Sequence, residues 1–322
     1  MTLKVSSVQF QHRAGDKAYN LQRIAEFTRQ AQRGGSQLVV FPEMCITGYW
    51  HVPKLSAAGL AALAEPLSGP SVTAVAALAR QRGIAIGVGF LESGADDKLY
   101  NAYAVCLPDG AVHCHRKLHA FEHQLIASGD RYTVFDTPWG IRAGILICWD
   151  NNLVENARAT ALLGAEFLIA PHQTGGCNSV SPHGMKPIPL ETWHRRHEDP
   201  AAMEAEILGP NGRGWLMRWL PARAHDNGLF LIFSNGIGQD EDEVRTGNAM
   251  IVDPYGRIVA ETSAAADAMV SAELDLSLLD RCTGQRWLRG RRPELYGLLA
   301  ESRPGTLPPL EARFSNAPTR GA

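Results

Sequence analysis

The sequence contains no apolar run near the roughly 18 residues that a membrane-spanning helix needs, so we expect no membrane span. Its first residues lack the apolar core of a secretory signal peptide, which favours a cytoplasmic location. An excess of one charge is also missing, because 31 Lys and Arg residues nearly balance 33 Asp and Glu residues. The net charge of −2 gives no electrostatic reason to expect a nucleic-acid partner or an anionic membrane.

Cysteine is scarce and scattered, with six residues in 322 and no C-x-x-C pair or zinc-type spacing. In a reducing compartment, most such thiols pack as small apolar side chains. The segment His113-Cys114-His115 could suggest a metal site. On a strand, however, Cys114 points away from both histidines, and nothing else completes a ligand set. We therefore expect no metal and no cofactor.

Short apolar segments alternate with amphipathic ones along the chain, a pattern that predicts an α/β fold. Two Pro-x-Gly turns, at residues 108–110 and 254–256, indicate β-hairpins. The main expected elements are a strand at 3–10, a helix at 17–33, a helix capped by Ser71 and running to about 82, a strand at 141–148, a helix at about 153–164 and a strand at 166–171.

The chain is interpreted as one domain over residues 1–276 that carries an insertion at 172–214. The insertion is rich in Gly, Pro, His and Arg, and so long a connection in a compact domain is usually a lid or a specificity element. Its run from His194 to His197 could bind an anionic group or form a solvated charged helix. Residues 277–322 are predicted to be an extension that packs at a subunit interface and then becomes mobile.

Glu43 directly follows a short apolar strand and a proline in the stretch VVFPEM. A carboxylate held at such a place would be partly buried, which raises its pKa and suits a general base. Most glutamates are exposed to solvent, so an exposed loop residue is the alternative interpretation.

Lys117 and Cys148 are the other two candidates for chemistry. Lys117 lies in the basic run HCHRKLH, where it could stabilise an oxyanion or belong to a solvated face. Cys148 ends the apolar stretch GILIC before a predicted helix, and a helix N-terminus and a nearby lysine would lower the pKa of its thiol. The backbone N–H of Trp149 would then face the oxyanion. A buried structural cysteine is the alternative.

Together, these stretches resemble the nitrilase superfamily of carbon–nitrogen hydrolases. That family has a Glu after a strand, a Lys in an RK-x-H context and a Cys ending an apolar strand, in this order. The matching stretches here are Phe41-Pro42-Glu43, Arg116-Lys117-Leu118-His119 and Cys148-Trp149-Asp150. The likeness covers about residues 3–275, plus an RRPELY segment near the end, and includes Gly48-Tyr49, Asn101, Gly129-Asp130, Arg223-Ala224 and Asn235.

The resemblance implies a four-layer α-β-β-α sandwich, and a homodimer or larger homo-oligomer in which subunits pack helix to helix. It also implies a catalytic triad in which Glu43 takes the thiol proton, Cys148 attacks a carbonyl or nitrile carbon and Lys117 stabilises the oxyanion. Water then hydrolyses the thioester. Glu122 is similar to a second family glutamate that would hold Lys117, and an exposed helical glutamate is the alternative.

The resemblance implies a small-molecule amide, carbamoyl or nitrile substrate. Typical nitrilases read Cys-Trp-Glu-His after the nucleophile, whereas this chain reads Cys-Trp-Asp-Asn, which favours amide or N-carbamoyl hydrolysis. A nitrilase is the main alternative, and a catalytically idle binding protein of the same fold is a further one. The candidates for substrate contact are Tyr49, Trp149, His172 and Gln173; for the last two, the alternative is a pair of ordinary polar loop residues.

Overall fold

The computed structural model describes residues 2–315, within which the chain forms fourteen β-strands and ten α-helices. The strands are β1 (Thr2–Phe10), β2 (Leu38–Val40), β3 (Ala85–Ser93), β4 (Leu99–Cys106), β5 (Val112–Arg116), β6 (Ile126–Ala127), β7 (Thr133–Asp136), β8 (Arg142–Ile145), β9 (Phe167–His172), β10 (Phe230–Asp240), β11 (Glu243–Thr246), β12 (Met250–Val252), β13 (Ile258–Glu261) and β14 (Ala268–Asp275). The helices are α1 (Lys17–Arg33), α2 (Ala57–Leu63), α3 (Pro70–Arg82), α4 (Val154–Leu162), α5 (Leu190–His194), α6 (Pro200–Leu208), α7 (Arg213–Leu216), α8 (Leu220–His225), α9 (Thr283–Arg289) and α10 (Pro309–Phe314).

Strand β1 joins two halves of a continuous sheet whose order is β5-β4-β3-β2-β1-β10-β9-β8-β7. It runs parallel to β2 over residues 5–7 and antiparallel to β14 along residues 2–9. It pairs with β10 only at its end, through Gln9 and Phe10. The two halves are therefore hydrogen-bonded at one edge only, which lets them diverge and face each other.

An inner core lies between the two halves of the sheet, and helices cover both outer faces. The inner core combines Leu38 and Val40 of one half with Phe167 and Ile232 of the other. A second cluster packs α1 and α3 against the first half. A third packs α4 and α8 against the second half. The layers are thus α-β-β-α, which confirms the predicted fold class.

Two element ends differ from the sequence prediction. The helix after Gly69-Pro70 is present, but Ser71 does not cap it; the carboxylate of Glu65 instead accepts hydrogen bonds from the Ser71 N–H (2.9 Å) and hydroxyl (3.0 Å). The predicted strand 141–148 ends at Ile145. Its last predicted residue, Cys148, begins a short 3₁₀ helix that extends to Asn152.

The segment 172–214 is largely structured. Its helices α5 and α6 bury Trp193, Met203 and Ile207 against Ile237 and Val244 of β10 and β11. The part of the C-terminal extension that the structure describes, 277–315, ends in α10, and the rest of the predicted mobile tail lies outside the described residues. The predicted domain boundary at 276 stays a prediction. No helix within residues 2–315 combines the length and apolarity needed to cross a membrane.

Candidate active site

Strand ends place Cys148 in the wall of a cleft and bury Glu43 and Lys117 behind that wall. Glu43 lies three residues after β2, Lys117 directly after β5 and Cys148 three residues after β8. The cleft has a volume of about 290 Å³. Its lining includes Tyr49, Trp50, Phe121, Cys148, Trp149, Asn152, Gln173, Thr174, Cys177, Ser179, Ser181, Met185, Trp215, Glu243, Arg245, Ala312 and Arg313.

Behind this cleft, one buried cation is held by two buried carboxylates. Lys117 Nζ donates to Glu43 Oε1 at 2.8 Å and forms a short contact with Glu122 Oε1. Asn101 Nδ2 donates to the same two oxygens, at 2.7 Å and 3.0 Å. Glu43 and Lys117 are fully buried and Glu122 is nearly so. The structure thus brings Glu122 to Lys117, as the resemblance implied.

Glu43 has the properties of a proton acceptor. Burial raises its pKa to about 6, although the neighbouring Lys117 charge opposes the shift. Its second oxygen, Oε2, is buried and has no hydrogen-bond partner among residues 2–315. The free oxygen can take a proton from a group in the cleft, while Oε1 is held by Lys117 and Asn101.

Lys117 stays protonated in this cluster. Burial alone would lower its pKa, but the carboxylates of Glu122 and Glu43 outweigh burial and raise it above the usual value. A permanently charged ammonium is suited to stabilising negative charge that develops in the cleft.

The pKa of the Cys148 thiol is shifted in the direction opposite to the sequence prediction. Burial, followed by the negative charge of Glu43, raises the pKa of Cys148, whereas we expected a lowered pKa. The charge of Lys117 opposes this shift but does not overcome it, because a fully buried thiolate is poorly solvated. The resting nucleophile is therefore a neutral thiol that needs a base at the moment of attack. Cys148 also has a φ of 50°, a strained conformation for a non-glycine residue.

Asp150 connects the cysteine turn to the lysine segment. Its buried carboxylate accepts hydrogen bonds from the backbone N–H groups of Ile147, Leu118 and His119 at 2.8–3.3 Å. Although burial opposes ionisation, hydrogen bonds from histidines lower the pKa of Asp150. The ionised Asp150 thus fixes the residues next to Cys148 and Lys117 relative to each other.

Three of the four predicted substrate-contact residues line the cleft. They are Tyr49, Trp149 and Gln173, and Gln173 also donates to the backbone oxygen of Glu43 at 2.8 Å. His172 is not part of the lining: it is buried, its Nε2 lies 3.1 Å from the amide nitrogen of Asn151, and its ring stacks on Trp219. Burial lowers its pKa to about 3, so it is neutral.

Part of the cleft wall was not predicted from the sequence. Trp50, Phe121 and Trp215 make it aromatic, and Phe121 meets Trp149 edge to face at 5.3 Å between ring centroids. Arg245 of β11 and Arg313 of α10 add positive charge. The local sequence around Arg313 carries no signal of this placement, because the placement depends on the chain returning to the cleft from its C-terminal end.

The insertion residues weighed as an anion site lie elsewhere. His194 is the last residue of α5, and its Nε2 lies 3.0 Å from the side-chain oxygen of Gln239. Arg196 packs over the ring of Trp193 at 4.0 Å. The run 194–197 is absent from the cleft lining, in keeping with a solvated helix end.

Comparisons with known proteins show the family and agree with the observed fold. The model of the carbon–nitrogen hydrolase family matches residues 4–283. An (R)-stereoselective amidase from Pseudomonas is 33% identical over 92% of this chain and 93% of its own length. An omega-amidase from Xenopus laevis is 28% identical over 92% of this chain and 97% of its own. A solved Nesterenkonia amidase of the nitrilase superfamily superposes with a TM-score of 0.68 at 20% identity, covering 92% of this chain and 97% of that one.

Proposed function

We propose that the chain hydrolyses amides through Cys148, Glu43 and Lys117. The chain belongs to the carbon–nitrogen hydrolase family, and it therefore acts on carbon–nitrogen bonds other than peptide bonds. The observation that carries the proposal is the free Oε2 of Glu43, a buried base beside a neutral thiol and a charged lysine. Each group is in the protonation state that covalent amide hydrolysis requires at its start.

In the first half of the reaction, Glu43 accepts the proton of Cys148 as the sulfur attacks the carbonyl carbon of the amide. The carbonyl oxygen becomes an oxyanion, which the ammonium of Lys117 and the backbone N–H of Trp149 stabilise. Glu43 then returns the proton to the nitrogen. The carbon–nitrogen bond breaks, ammonia or an amine departs, and a thioester remains on Cys148.

In the second half, a water molecule takes the place of the departed amine. Glu43 accepts one of its protons while the oxygen attacks the thioester carbon, and the same donors stabilise the second oxyanion. The carbon–sulfur bond breaks, the proton returns to the sulfur, and a carboxylic acid leaves. The enzyme is restored with Cys148 as a thiol and Glu43 as a carboxylate.

The walls of the cleft favour amides with an apolar acyl group. Tyr49, Trp50, Phe121, Trp149 and Trp215 surround the space in front of the thiol. Such side chains bind flat or branched apolar groups, while the few polar groups fix the amide. The amidase relatives support amide hydrolysis, and the Asp150-Asn151 pair after Cys148-Trp149 departs from the pattern of typical nitrilases.

The test is ammonia release from a panel of amides, N-carbamoyl compounds and nitriles, measured with the wild type and with Cys148→Ala. We expect release from amides with apolar acyl groups and its loss in Cys148→Ala. Cys114→Ala is the matched control, because that thiol lies on β5 outside the cleft lining. Full activity in Cys148→Ala would refute the thiol mechanism, and release from nitriles alone would refute amide hydrolysis.

A further inference from the structure

Two arginines from distant parts of the chain line the same cleft. Arg245 comes from β11 and Arg313 from α10, and both belong to the lining. Arg245 is almost completely buried, with its guanidinium carbon 5.2 Å from the ring centroid of Tyr49. The guanidinium carbon of Arg313 lies 5.4 Å from the ring centroid of Phe121. Aromatic faces thus hold both cations at the cleft.

Each of these arginines keeps one unused donor. Nη2 of Arg245 and Nη1 of Arg313 are buried nitrogens with no hydrogen-bond partner in the part of the chain that the structure describes. A buried donor without a partner costs free energy unless a ligand or a water molecule satisfies it. Two such donors in the wall of one substrate cleft indicate an acceptor on the ligand.

Two acids, Asp240 and Glu243, lie near these arginines, and both pair with Arg245. Asp240 accepts from the Trp50 N–H at 3.2 Å, lies 3.1 Å from His12 Nε2 and pairs with Arg245 Nε at 3.2 Å. Glu243 lies 2.7 Å from Arg245 Nη1. Arg313 has no ion pair among residues 2–315, but its charge interacts with that of Glu243, where it opposes the rise in pKa that burial causes.

The charge of Arg313 acts on the same end of the cleft as the charge of Arg245. Burial raises the pKa of Cys177, and the positive charges of Arg245 and Arg313 both oppose that shift. Glu243, which also lines the cleft, acts on Cys177 in the opposite sense, so the charges at this end are partly balanced. The two arginine nitrogens nevertheless remain without an acceptor among residues 2–315. A carboxylate fits these two donors, because it supplies two acceptor oxygens and accepts strong hydrogen bonds from guanidinium groups.

We propose that Arg245 and Arg313 form a carboxylate subsite, so that the preferred substrate is an amide whose apolar spacer ends in a carboxylate. The proposal rests on the amide hydrolysis proposed above and names the substrate class. The Tyr49 ring supports it, since its centroid lies 6.0 Å from Lys117 Nζ and 5.2 Å from the guanidinium of Arg245. A spacer lying along this ring reaches from the catalytic lysine to the subsite.

The test compares 4-(2-amino-2-oxoethyl)benzoic acid with 2-(4-methylphenyl)acetamide, which has a methyl group in place of the carboxylate. We expect the wild type to show a kcat/KM at least about ten-fold higher for the acid, the effect of one charge-assisted hydrogen bond. In Arg313→Gln this ratio should fall toward one, and Arg313→Lys should restore part of it. Arg303→Gln, an exposed arginine of the same extension, is the matched control and should keep the wild-type ratio.

A binding measurement separates this proposal from the proposed chemistry. Titration calorimetry of the acid into Cys148→Ala, and into Cys148→Ala with Arg313→Gln, reports the subsite without turnover. About ten-fold weaker binding in the double variant supports the subsite, whether or not the wild type hydrolyses the amide. Equal binding, or equal kcat/KM for the two amides in the wild type, overturns the subsite while leaving neutral-amide hydrolysis intact.

Discussion

Glu43 sets the lower pH limit at which the cleft can work. Its pKa is raised to about 6, chiefly by burial, and only its ionised form can accept the thiol proton. We therefore expect kcat/KM to rise with pH through about 6 and then to level off. The measurement is kcat/KM against pH for one amide, since this quantity reports the free enzyme.

A substitution at Glu122 tests whether Glu43 is the group that titrates. The negative charge of Glu122 adds to the rise in the pKa of Glu43, so in Glu122→Gln the acid limb should move to lower pH. The value of kcat should also fall, by up to about 100-fold, because Lys117 loses one of its two carboxylate partners. Asp130→Asn, which changes an exposed acid, should leave the profile in place. An acid limb that does not move in Glu122→Gln would assign it to another group.

For the individual residues of the site, the sequence indicated which residues to consider better than it indicated their ionisation states. Glu43, Lys117 and Cys148 could be named because their flanking residues resemble three motifs of one family in the same order, and such short motifs are read directly from the sequence. The raised pKa of Cys148 could not be predicted, since it depends on burial by distant segments and on Glu43, which lies 105 positions earlier. The sequence also does not reveal where β9 ends relative to the cleft, and His172, its last residue, is absent from the lining.

Among the elements, the helices of the segment 172–214 hold one side of the cleft. Asn211, just after α6, accepts from the Gly176 N–H through its backbone oxygen and from the Lys186 N–H through its side chain, both at 2.9 Å. The loop between these two residues carries the lining residues Ser179, Ser181 and Met185. The position of α6 therefore controls the shape of the cleft.

A substitution at Ile207 tests whether the position of α6 controls the shape of the cleft. It is fully buried on α6, so Ile207→Ala should cost about 2–5 kcal/mol in the free energy of unfolding. The substitution should also loosen the loop between Gly176 and Lys186, which Asn211 holds. We therefore expect KM to rise several-fold while kcat changes little. Urea denaturation and steady-state kinetics give the two quantities.

Ile232→Ala is the matched control for that prediction. Ile232 is equally buried, but it lies on β10 in the core between the two halves of the sheet. The loss of stability should be similar, whereas KM should stay at the wild-type value. If both variants raise KM alike, or neither does, the segment does not shape the cleft through α6.

The sequence predicted the order of the elements well and their ends less well. The strands and helices of residues 3–171 carry their own apolar periodicity, which is why most of them were found. Ser71 was chosen as a helix cap from local residue type, but the carboxylate of Glu65, six residues earlier, takes that role. The position of α10 at the cleft depends on long-range packing such as the contact of Phe314 with Phe121, for which no periodic signal exists.

For the whole molecule, the outer face of α4 is the surface that requires explanation. Val154, Leu162 and Leu163 at this helix are about half exposed. Val154 also shares a cavity with Trp287 and Leu299 of the C-terminal extension, so the apolar surface continues onto that segment. Large continuous apolar surfaces usually mark sites of association.

We predict that this surface joins two copies of the chain, as the resemblance implies for subunits that pack helix to helix. Sedimentation equilibrium should give at least twice the 35.0 kDa mass of the chain. Leu162→Glu should shift the molecule towards the monomer, because a charge buried in an apolar interface is costly. Val259→Glu, at a similarly exposed residue of β13, should leave the mass unchanged.

Assembly through this face should also affect catalysis, because α4 and α8 support the cysteine turn. Arg223 of α8 donates to the backbone oxygens of Asn151 (2.7 Å) and Asn152 (2.9 Å), and α4 begins two residues later. A partner packed on these helices would restrict their motion and thereby hold Cys148 in its strained conformation. We therefore expect kcat of Leu162→Glu to fall together with the dimer fraction and to recover as protein concentration rises. A monomeric variant with full kcat would show that the turn is held without the partner.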